Sequence, residues 1–340
     1  MSSAALRDGT LIVPVIDITS FRMPYADQTV RAGIVRQVDE AARTVGFMQI
    51  TGHGIPAATL GGFTSATDAF FALHAKVKQK YRCPPGINRG YTPPKAESLS
   101  DSLGLACAAD LFEAMNIGAT AADYPGADLP PDVYAPNVYP AEVPEFEAAV
   151  TDWFTAAGTV ARTMVRIFGV ALGGREDYFA PFTDHSIDVL RMNNYRPPAA
   201  GVTVEPGQLG MGAHTDYGIV TVLWADPVPG LEILGADGGW HPVRPAEGAL
   251  LVNLGDAIAR WTNDQWVSAM HRVAAPRAGG AGGAGVPRRS AAYFHGLRPA
   301  QPLGPLGVPF GTISAPNDTV KRFVSALGAV KHRTNDRCRW

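Results

Sequence analysis

The stretch HTDYGIVTVLW, from His214 to Trp224, decides which fold the sequence predicts. Its second half, Ile219 to Trp224, is apolar and rich in β-branched residues, as is typical of a buried strand. Turns such as Ala236-Asp237-Gly238-Gly239 separate it from similar segments at the spacing of a jelly roll or barrel. The further strands predicted in this region are Asp188 to Tyr195, Leu231 to Leu234, Ala249 to Leu254, Ser268 to Val273 and Arg289 to His295.

The remainder of the chain combines helices with a few strands. Apolar residues recur at helical spacing from Val30 to Thr44 and from Glu145 to Leu172, which predicts two amphipathic helices. A third helix is predicted from Pro56 to Tyr81, where lysines crowd the C-terminal turn and complement the helix dipole. Further predictions are strands at Leu11 to Ile18, Gly46 to Ile50 and Phe112 to Gly118, loops at Cys83 to Ser102 and Tyr124 to Pro144, a flexible glycine-rich loop at Ala278 to Gly285, and a closing helix at Thr319 to Val330.

The composition narrows the classes of partner. With 340 residues, of which 46% are hydrophobic, the chain can bury a large core. A net charge of -2 and the lack of a basic run argue against nucleic acid and membrane surfaces. The sequence has neither a signal peptide pattern nor a membrane-spanning apolar run, so we expect a soluble cytoplasmic protein. Its three cysteines, Cys83, Cys107 and Cys338, are too far apart for a CxxC pair.

Three polar residues could bind one metal ion. His214 and Asp216 form an H-x-D pair, and alternation along a strand would place both side chains on one face. His271 lies in another predicted strand that could pair across the mouth of the barrel. Two imidazoles and one carboxylate leave three positions open on an octahedral ion, as in non-haem Fe(II) oxygenases. The same ligands also suit zinc in a hydrolase, and polar residues at strand ends can serve a protein without redox chemistry.

A family resemblance favours the oxygenase. His214-Thr215-Asp216-Tyr217-Gly218, Asn253-Leu254-Gly255-Asp256, His271-Arg272-Val273 and Arg288-Arg289-Ser290 resemble the isopenicillin N synthase-like branch of the 2-oxoglutarate/Fe(II) dioxygenases. Val13-Pro14-Val15-Ile16-Asp17, Gly46-Phe47, Gly52-His53-Gly54-Ile55 and Arg89-Gly90-Tyr91 are similar to the N-terminal region of that family.

The resemblance implies an α+β fold with a double-stranded β-helix (jelly-roll) core flanked by helices. It also implies one catalytic unit over residues 1–340. Within that unit we expect an N-terminal non-haem dioxygenase region at 11–120, an Fe(II)/2-oxoglutarate core at 185–300 and a C-terminal helical extension at 301–340.

The resemblance also implies a pocket for 2-oxoglutarate. Arg288 and Ser290 match the family's R-x-S, and a guanidinium with a hydroxyl suits the distal carboxylate of that co-substrate. Asn193 and Tyr195 match its N-x-Y, which contacts the co-substrate in many members. Arg289 is predicted to be an outward, solvated charge. Asn253 and Asp256 are interpreted as residues of a structural turn, so that Asp256 is not the carboxylate ligand.

The reaction that the resemblance implies uses Fe(II), 2-oxoglutarate and O2, with ascorbate as a candidate stimulant. A C–H bond of a small-molecule substrate is hydroxylated, or desaturated or cyclised, while 2-oxoglutarate yields succinate and CO2. The alternative is an oxidase of the isopenicillin N synthase or aminocyclopropane-carboxylate oxidase type, which needs no 2-oxoglutarate. The candidate substrate contacts are Arg89, Tyr91 and Phe294. Alternatively, Arg89 is a solvated charge in a loop, and Tyr91 and Phe294 pack in the core. The sequence indicates neither the substrate nor the oligomeric state.

Overall fold

Two β-sheets form the centre of the fold. The computed structural model describes residues 6–7, 10–82, 84–99, 109–197, 208–275 and 285–299. Its strands are β1 (Leu6–Arg7), β2 (Thr10–Leu11), β3 (Val15–Asp17), β4 (Phe47–Thr51), β5 (Gly90–Thr92), β6 (Phe112–Gly118), β7 (Val189–Tyr195), β8 (Met211–His214), β9 (Val220–Ala225), β10 (Leu231–Leu234), β11 (Trp240–Pro242), β12 (Leu250–Leu254), β13 (His271–Val273) and β14 (Arg288–His295).

The larger sheet has eight strands in the order β3-β4-β12-β9-β14-β7-β6-β5, and the smaller has four in the order β11-β10-β13-β8. Strands β3 and β4 pair in parallel, whereas the other pairs within these two sheets are antiparallel. Side chains of both sheets line one cavity. The α+β, jelly-roll fold class predicted from the sequence is confirmed.

Helices cover the larger sheet on the side away from the cavity. They are α1 (Thr19–Arg22), α2 (Gln28–Thr44), α3 (Ala57–Ala72), α4 (Ala75–Lys78), α5 (Phe146–Ala171), α6 (Ala180–Thr183) and α7 (Asp256–Trp261), with 3₁₀ turns at Gln79–Tyr81 and Ala121–Asp123. The longest of them, α5, packs on α3, β9 and β14. Trp153 of α5 stacks on Phe63 of α3 with ring centroids 4.8 Å apart. Because the sheet is covered on both faces, strands such as Leu250–Leu254 are buried along their whole length.

Most predicted elements agree with the structure to within a few residues, and the differences have local causes. The helix predicted from Pro56 to Tyr81 is interrupted after Ala72, where Leu73 and His74 are extended. Nδ1 of His74 accepts a hydrogen bond from the Lys76 amide and so caps a new helix. The predicted Cys83 to Ser102 loop contains the short strand β5.

Three elements near the cavity also differ from the predictions. The strand expected from Ser268 begins only at His271. Asp256, which was predicted to lie in a turn, is instead the first residue of α7. Strand β8, Met211–His214, was not predicted as an element of its own.

Some predictions fall outside the described residues. These concern the three cysteines, the glycine-rich segment up to residue 284, and the C-terminal extension with its helix from Thr319 to Val330. Within the described ranges, every helix is too short or too polar to cross a membrane.

A buried carboxylate of the larger sheet binds the end of helix α4. Glu113 of β6 accepts hydrogen bonds from Lys78, Tyr91 and Asn194 and pairs with Arg196 at 2.9 Å. The Lys78 ammonium lies 2.6 Å from Glu113, and both side chains are less than 5% exposed. Burial lowers the pKa of Lys78, although Glu113 opposes this shift by favouring the charged form. The cluster therefore depends on the carboxylate at its centre.

The cluster predicts unequal effects of removing its two partners. Glu113→Leu leaves the buried Lys78 ammonium, among the described residues, with the Phe71 carbonyl oxygen and the face of the Tyr91 ring, so we expect a loss of about 3–5 kcal/mol in the free energy of unfolding. Lys78→Met leaves Glu113 with three other donors and should cost about 1–2 kcal/mol. Urea denaturation followed by circular dichroism measures both values. An equal or larger loss for Lys78→Met would contradict this account of the cluster.

Candidate functional site

The cavity between the two sheets contains the three residues predicted as metal ligands. His214 and His271 are direct partners in the antiparallel pairing of β8 with β13, and their ring centroids lie 4.3 Å apart. Nε2 of each imidazole lies 3.8 Å from Oδ1 of Asp216. One ligand atom from each residue falls within 4.8 Å of the others. The three side chains therefore converge on one point.

The side chains of this triad are oriented by their neighbours. Nδ1 of His214 lies 2.7 Å from the Gly212 carbonyl oxygen, and Nδ1 of His271 lies 3.0 Å from that of Ala269. Because a carbonyl oxygen only accepts hydrogen bonds, each Nδ1 carries the proton and each Nε2 offers its lone pair. A metal ion between the rings would meet both lone pairs.

The carboxylate of Asp216 is held in the same way. Its Oδ2 accepts hydrogen bonds from Thr221 Oγ1 at 2.6 Å and from Asn253 Nδ2 at 2.7 Å. These bonds leave Oδ1 directed towards the histidines. Strand alternation does not align the H-x-D pair as predicted, because β8 ends at His214 and Asp216 lies beyond it. Contacts from β9 and β12 position the carboxylate instead.

The protonation states suit metal binding. Burial, with help from the neighbouring His271, lowers the pKa of His214 to about 4. Burial alone would raise the pKa of Asp216, but the two imidazoles and its two hydrogen-bond donors hold that pKa below its usual range. At neutral pH the site therefore presents a neutral His214 and an ionised Asp216, the forms that bind a divalent cation. Two nitrogens and one oxygen are a ligand set that fits iron(II).

A buried guanidinium also lines this cavity. Nε and Nη1 of Arg288 are buried and have no hydrogen-bond partner among the residues that the structure describes. The guanidinium carbon lies 5.1 Å from the centre of the Tyr195 ring. Ser290 and Asn193 are cross-strand partners on the same wall of the cavity. A buried cation with unused donors fits the carboxylate of a bound molecule, because Arg offers paired N–H groups.

The adjacent arginine does not behave as predicted. Arg289 is on the opposite face of β14, as expected from alternation, but it is not a solvated charge. Its side chain is 18% exposed and pairs with Asp68 at 2.8 Å. It also donates a hydrogen bond to Asn194 and lies over the Phe71 ring. Arg289 therefore joins α3 to the larger sheet.

Two residues that position Asp216 were missed from the sequence. Asn253 was interpreted as a turn residue, but it belongs to β12 and its amide binds Asp216. Thr221 appeared only as part of a strand. The signal for Asn253 was a buried polar residue in the otherwise apolar run Leu250–Leu254, because a buried amide needs a partner. Asp256, which was predicted not to be the carboxylate ligand, accepts a hydrogen bond from Thr215.

Among the three candidate substrate contacts, Phe294 is the one that lines the cavity. Arg89 is 2% exposed, and its Nη2 donates to the carbonyl oxygens of Ala119 and Val133. Tyr91 donates to Glu113 on the far side of the sheet. Both residues are therefore fixed by contacts within the protein, which corrects the substrate-binding role expected for them.

Comparisons with known proteins agree with this geometry. Residues 13–142 match the family model described as non-haem dioxygenase in morphine synthesis N-terminal. Residues 187–297 match the model of the 2OG-Fe(II) oxygenase superfamily.

Two curated relatives and one solved structure are similar over most of the chain. Validamycin A dioxygenase of Streptomyces hygroscopicus subsp. limoneus is 31% identical, over 94% of this chain and 88% of its own. The 2-oxoglutarate-Fe(II) type oxidoreductase hxnY of Emericella nidulans is 34% identical, over 76% and 74%. The crystal structure of a full-length Neurospora crassa protein in complex with alpha-KG and thymine has a TM-score of 0.79 and 26% identity, over 96% and 99%.

The contacts of Asp216 predict how a substitution at a residue that is not itself a ligand affects metal binding. Thr221→Val removes one donor to Oδ2 without changing the size of the side chain, and we expect about tenfold weaker binding of Mn(II). Anaerobic calorimetric titration measures the affinity. The matched control is Thr163→Val, since that buried hydroxyl donates to the Thr159 carbonyl oxygen of its own helix, away from the triad. Equal Mn(II) affinities in the two variants would show that Thr221 does not position the carboxylate.

Proposed function

Because the chain belongs to the 2OG-Fe(II) oxygenase superfamily, we propose that His214, Asp216 and His271 bind its Fe(II) and that Arg288 binds its 2-oxoglutarate. The protein is a 2-oxoglutarate/Fe(II)-dependent dioxygenase. The convergence of three ligand atoms within 4.8 Å is the observation that carries the metal assignment. The hydrogen bonds that fix each ligand support it, since such contacts orient metal ligands.

The proposed co-substrate site consists of Arg288, Ser290, Asn193 and Tyr195. The two buried guanidinium nitrogens without a partner in the described ranges are the main support. Burying hydrogen-bond donors without acceptors is costly, so a carboxylate in this position would stabilise the site. The oxidase alternative also keeps an R-x-S element, and the relatives named as 2-oxoglutarate-Fe(II) type oxidoreductases argue against it. The hydrolase and the non-catalytic protein are likewise inconsistent with the family.

In the reaction, the protein binds and orients the reactants and excludes water from the cavity. When bound, iron(II) with 2-oxoglutarate and O2 supplies the oxidising chemistry, and the co-substrate leaves as succinate and CO2. Arg288 would fix one end of the co-substrate through paired N–H donors. The apolar walls of the cavity keep water from the reacting bond. The choice between hydroxylation and desaturation or cyclisation then depends on how the substrate C–H bond is held.

We propose a small-molecule metabolite, from secondary metabolism, as the substrate. The names of the relatives point to different molecules, Validamycin A in one, while another is bound to thymine in its crystal structure. Phe294 lines the cavity and is the proposed substrate contact that remains of the three.

We propose further that residues 1–340 act as one catalytic unit. Strands β3 and β4 and strands β5 and β6 come from the N-terminal region, yet they form the two edges of the larger sheet. The predicted core therefore does not form its sheet alone. The subdivision into 11–120, 185–300 and 301–340 is kept as part of this proposal.

Two neighbouring arginines provide the test of the co-substrate site. Arg288→Ala should raise the KM for 2-oxoglutarate about tenfold to hundredfold, because it removes a charge-assisted pair of hydrogen bonds. Arg289→Ala is the matched control and should leave this KM unchanged, since Arg289 points to the opposite face. Succinate formed per O2 consumed is measured over a range of 2-oxoglutarate concentrations. An unchanged KM in Arg288→Ala, or activity without succinate, would refute the assignment.

A further inference from the structure

The cavity has two polar ends. Strands β14 and β7 pair in the register Arg288↔Tyr195, Ser290↔Asn193, Ala292↔Arg191 and Phe294↔Val189, and all eight side chains line the cavity. Arg191 thus lies four residues along the ladder from Arg288, or about 13 Å at the usual rise per residue. Within the described part of the chain, Arg191 and Arg288 are the cavity's two guanidinium groups, and it has no lysine. The proposed co-substrate site accounts for Arg288 alone.

Arg191 is held rigidly and its charge is already compensated. Its Nη2 donates to Glu97 Oε2 at 2.6 Å, and the two side chains are 15% and 18% exposed. Its Nε donates to Asn193 Oδ1 at 3.3 Å, and the guanidinium lies 4.8 Å from the centre of the Phe112 ring. These bonds use two of the five guanidinium N–H groups. The other N–H groups have no acceptor among the described residues.

A second donor lies beside this ion pair. Asn116 is the cross-strand partner of Arg191, and its amide donates to Asn88 Oδ1 at 2.8 Å. Asn88 lines the cavity, and its acceptor oxygen is already occupied by Asn116. Its Nδ2 can donate to a bound molecule. The nearby walls formed by Ile187, Val189, Tyr217 and Phe294 are apolar or aromatic.

We infer that Arg191, paired with Glu97 and assisted by Asn88, binds the polar end of the substrate and selects uncharged molecules that carry a carbonyl-type acceptor. This inference rests on the proposed function, because it assigns the other end of the cavity to 2-oxoglutarate. The N–H groups of Arg191 and Asn88 that have no acceptor among the described residues favour a substrate oxygen at this position. A substrate carboxylate would have to share the guanidinium with Glu97, and two like charges around one cation repel each other. The apolar walls fit a hydrocarbon ring or chain attached to that oxygen.

Two isosteric probes test the charge selection directly. Cyclohexanecarboxamide and cyclohexanecarboxylate share one ring and differ in charge. Their binding is measured by NMR titration on protein loaded with Zn(II) and 2-oxoglutarate, so that no oxidation takes place. The wild-type protein should bind the amide about tenfold or more tightly than the carboxylate. Equal affinities, a preference for the carboxylate, or no binding of the amide overturns the inference.

Glu97→Gln should bind the carboxylate about tenfold or more tightly than the amide. The substitution removes the competing negative charge beside Arg191 and keeps a side-chain oxygen that accepts from Nη2. Arg191→Gln should weaken amide binding about tenfold, because it removes the guanidinium donors, and should keep the preference for the amide over the carboxylate, because the Glu97 carboxylate remains. Glu176→Gln is the matched control, since it removes a carboxylate paired with Arg31 and Arg166 far from the cavity, and its preference should equal that of the wild type. If Glu97→Gln does not fold, the probe preference of the wild type and the amide affinity of Arg191→Gln test the inference.

Calorimetry of 2-oxoglutarate binding separates the two proposals. If the Zn(II)-loaded wild type binds no 2-oxoglutarate, the proposed co-substrate site is wrong. If 2-oxoglutarate binds normally and Glu97→Gln leaves the probe preference unchanged, the inference about Arg191 is wrong and the proposed function stands.

Discussion

The antiparallel pairing of β8 with β13 is the constraint on which the site depends. It places His214 directly opposite His271, and a slip of one residue would turn one imidazole to the other face of the sheet. The register shifts between His271 and Val273, immediately after the paired histidines. Asp216 lies outside this ladder and is held by Thr221 and Asn253 of the larger sheet. The candidate metal centre therefore requires both sheets at their present separation.

One face of the larger sheet lines the cavity, and the other face makes contacts that stabilise the fold. Arg288 and Ser290 line the cavity, whereas Arg289 between them joins the sheet to α3 through Asp68. The same alternation in β7 directs Asn193 to the cavity and Asn194 to the buried Glu113. Because the two faces share one backbone, the helices that bury Glu113 also fix the strand that carries the proposed co-substrate site.

The triad was predicted from the types and spacing of its residues together with the family resemblance, and the R-x-S strand was predicted from that resemblance, because both are short motifs that a sequence displays directly. The contacts that orient those residues escaped the prediction, since they join positions far apart in the chain: Asn253 reaches Asp216 across 37 residues. Arg89 and Tyr91 were assigned to the substrate because they lie in a loop near the predicted mouth. Their buried hydrogen bonds to distant carbonyl and carboxylate groups are not encoded in local sequence. The Arg191–Glu97 ion pair spans 94 residues and was missed for the same reason.

We propose that one iron and one 2-oxoglutarate occupy the cavity between the two sheets. The most direct test is anomalous diffraction at the iron edge from crystals grown without oxygen in the presence of Fe(II) and 2-oxoglutarate. We expect one iron peak within bonding distance of His214, Asp216 and His271, and a co-substrate carboxylate against the Arg288 guanidinium. An iron peak bound elsewhere, or a 2-oxoglutarate whose carboxylates leave Arg288 without a partner, would contradict the account.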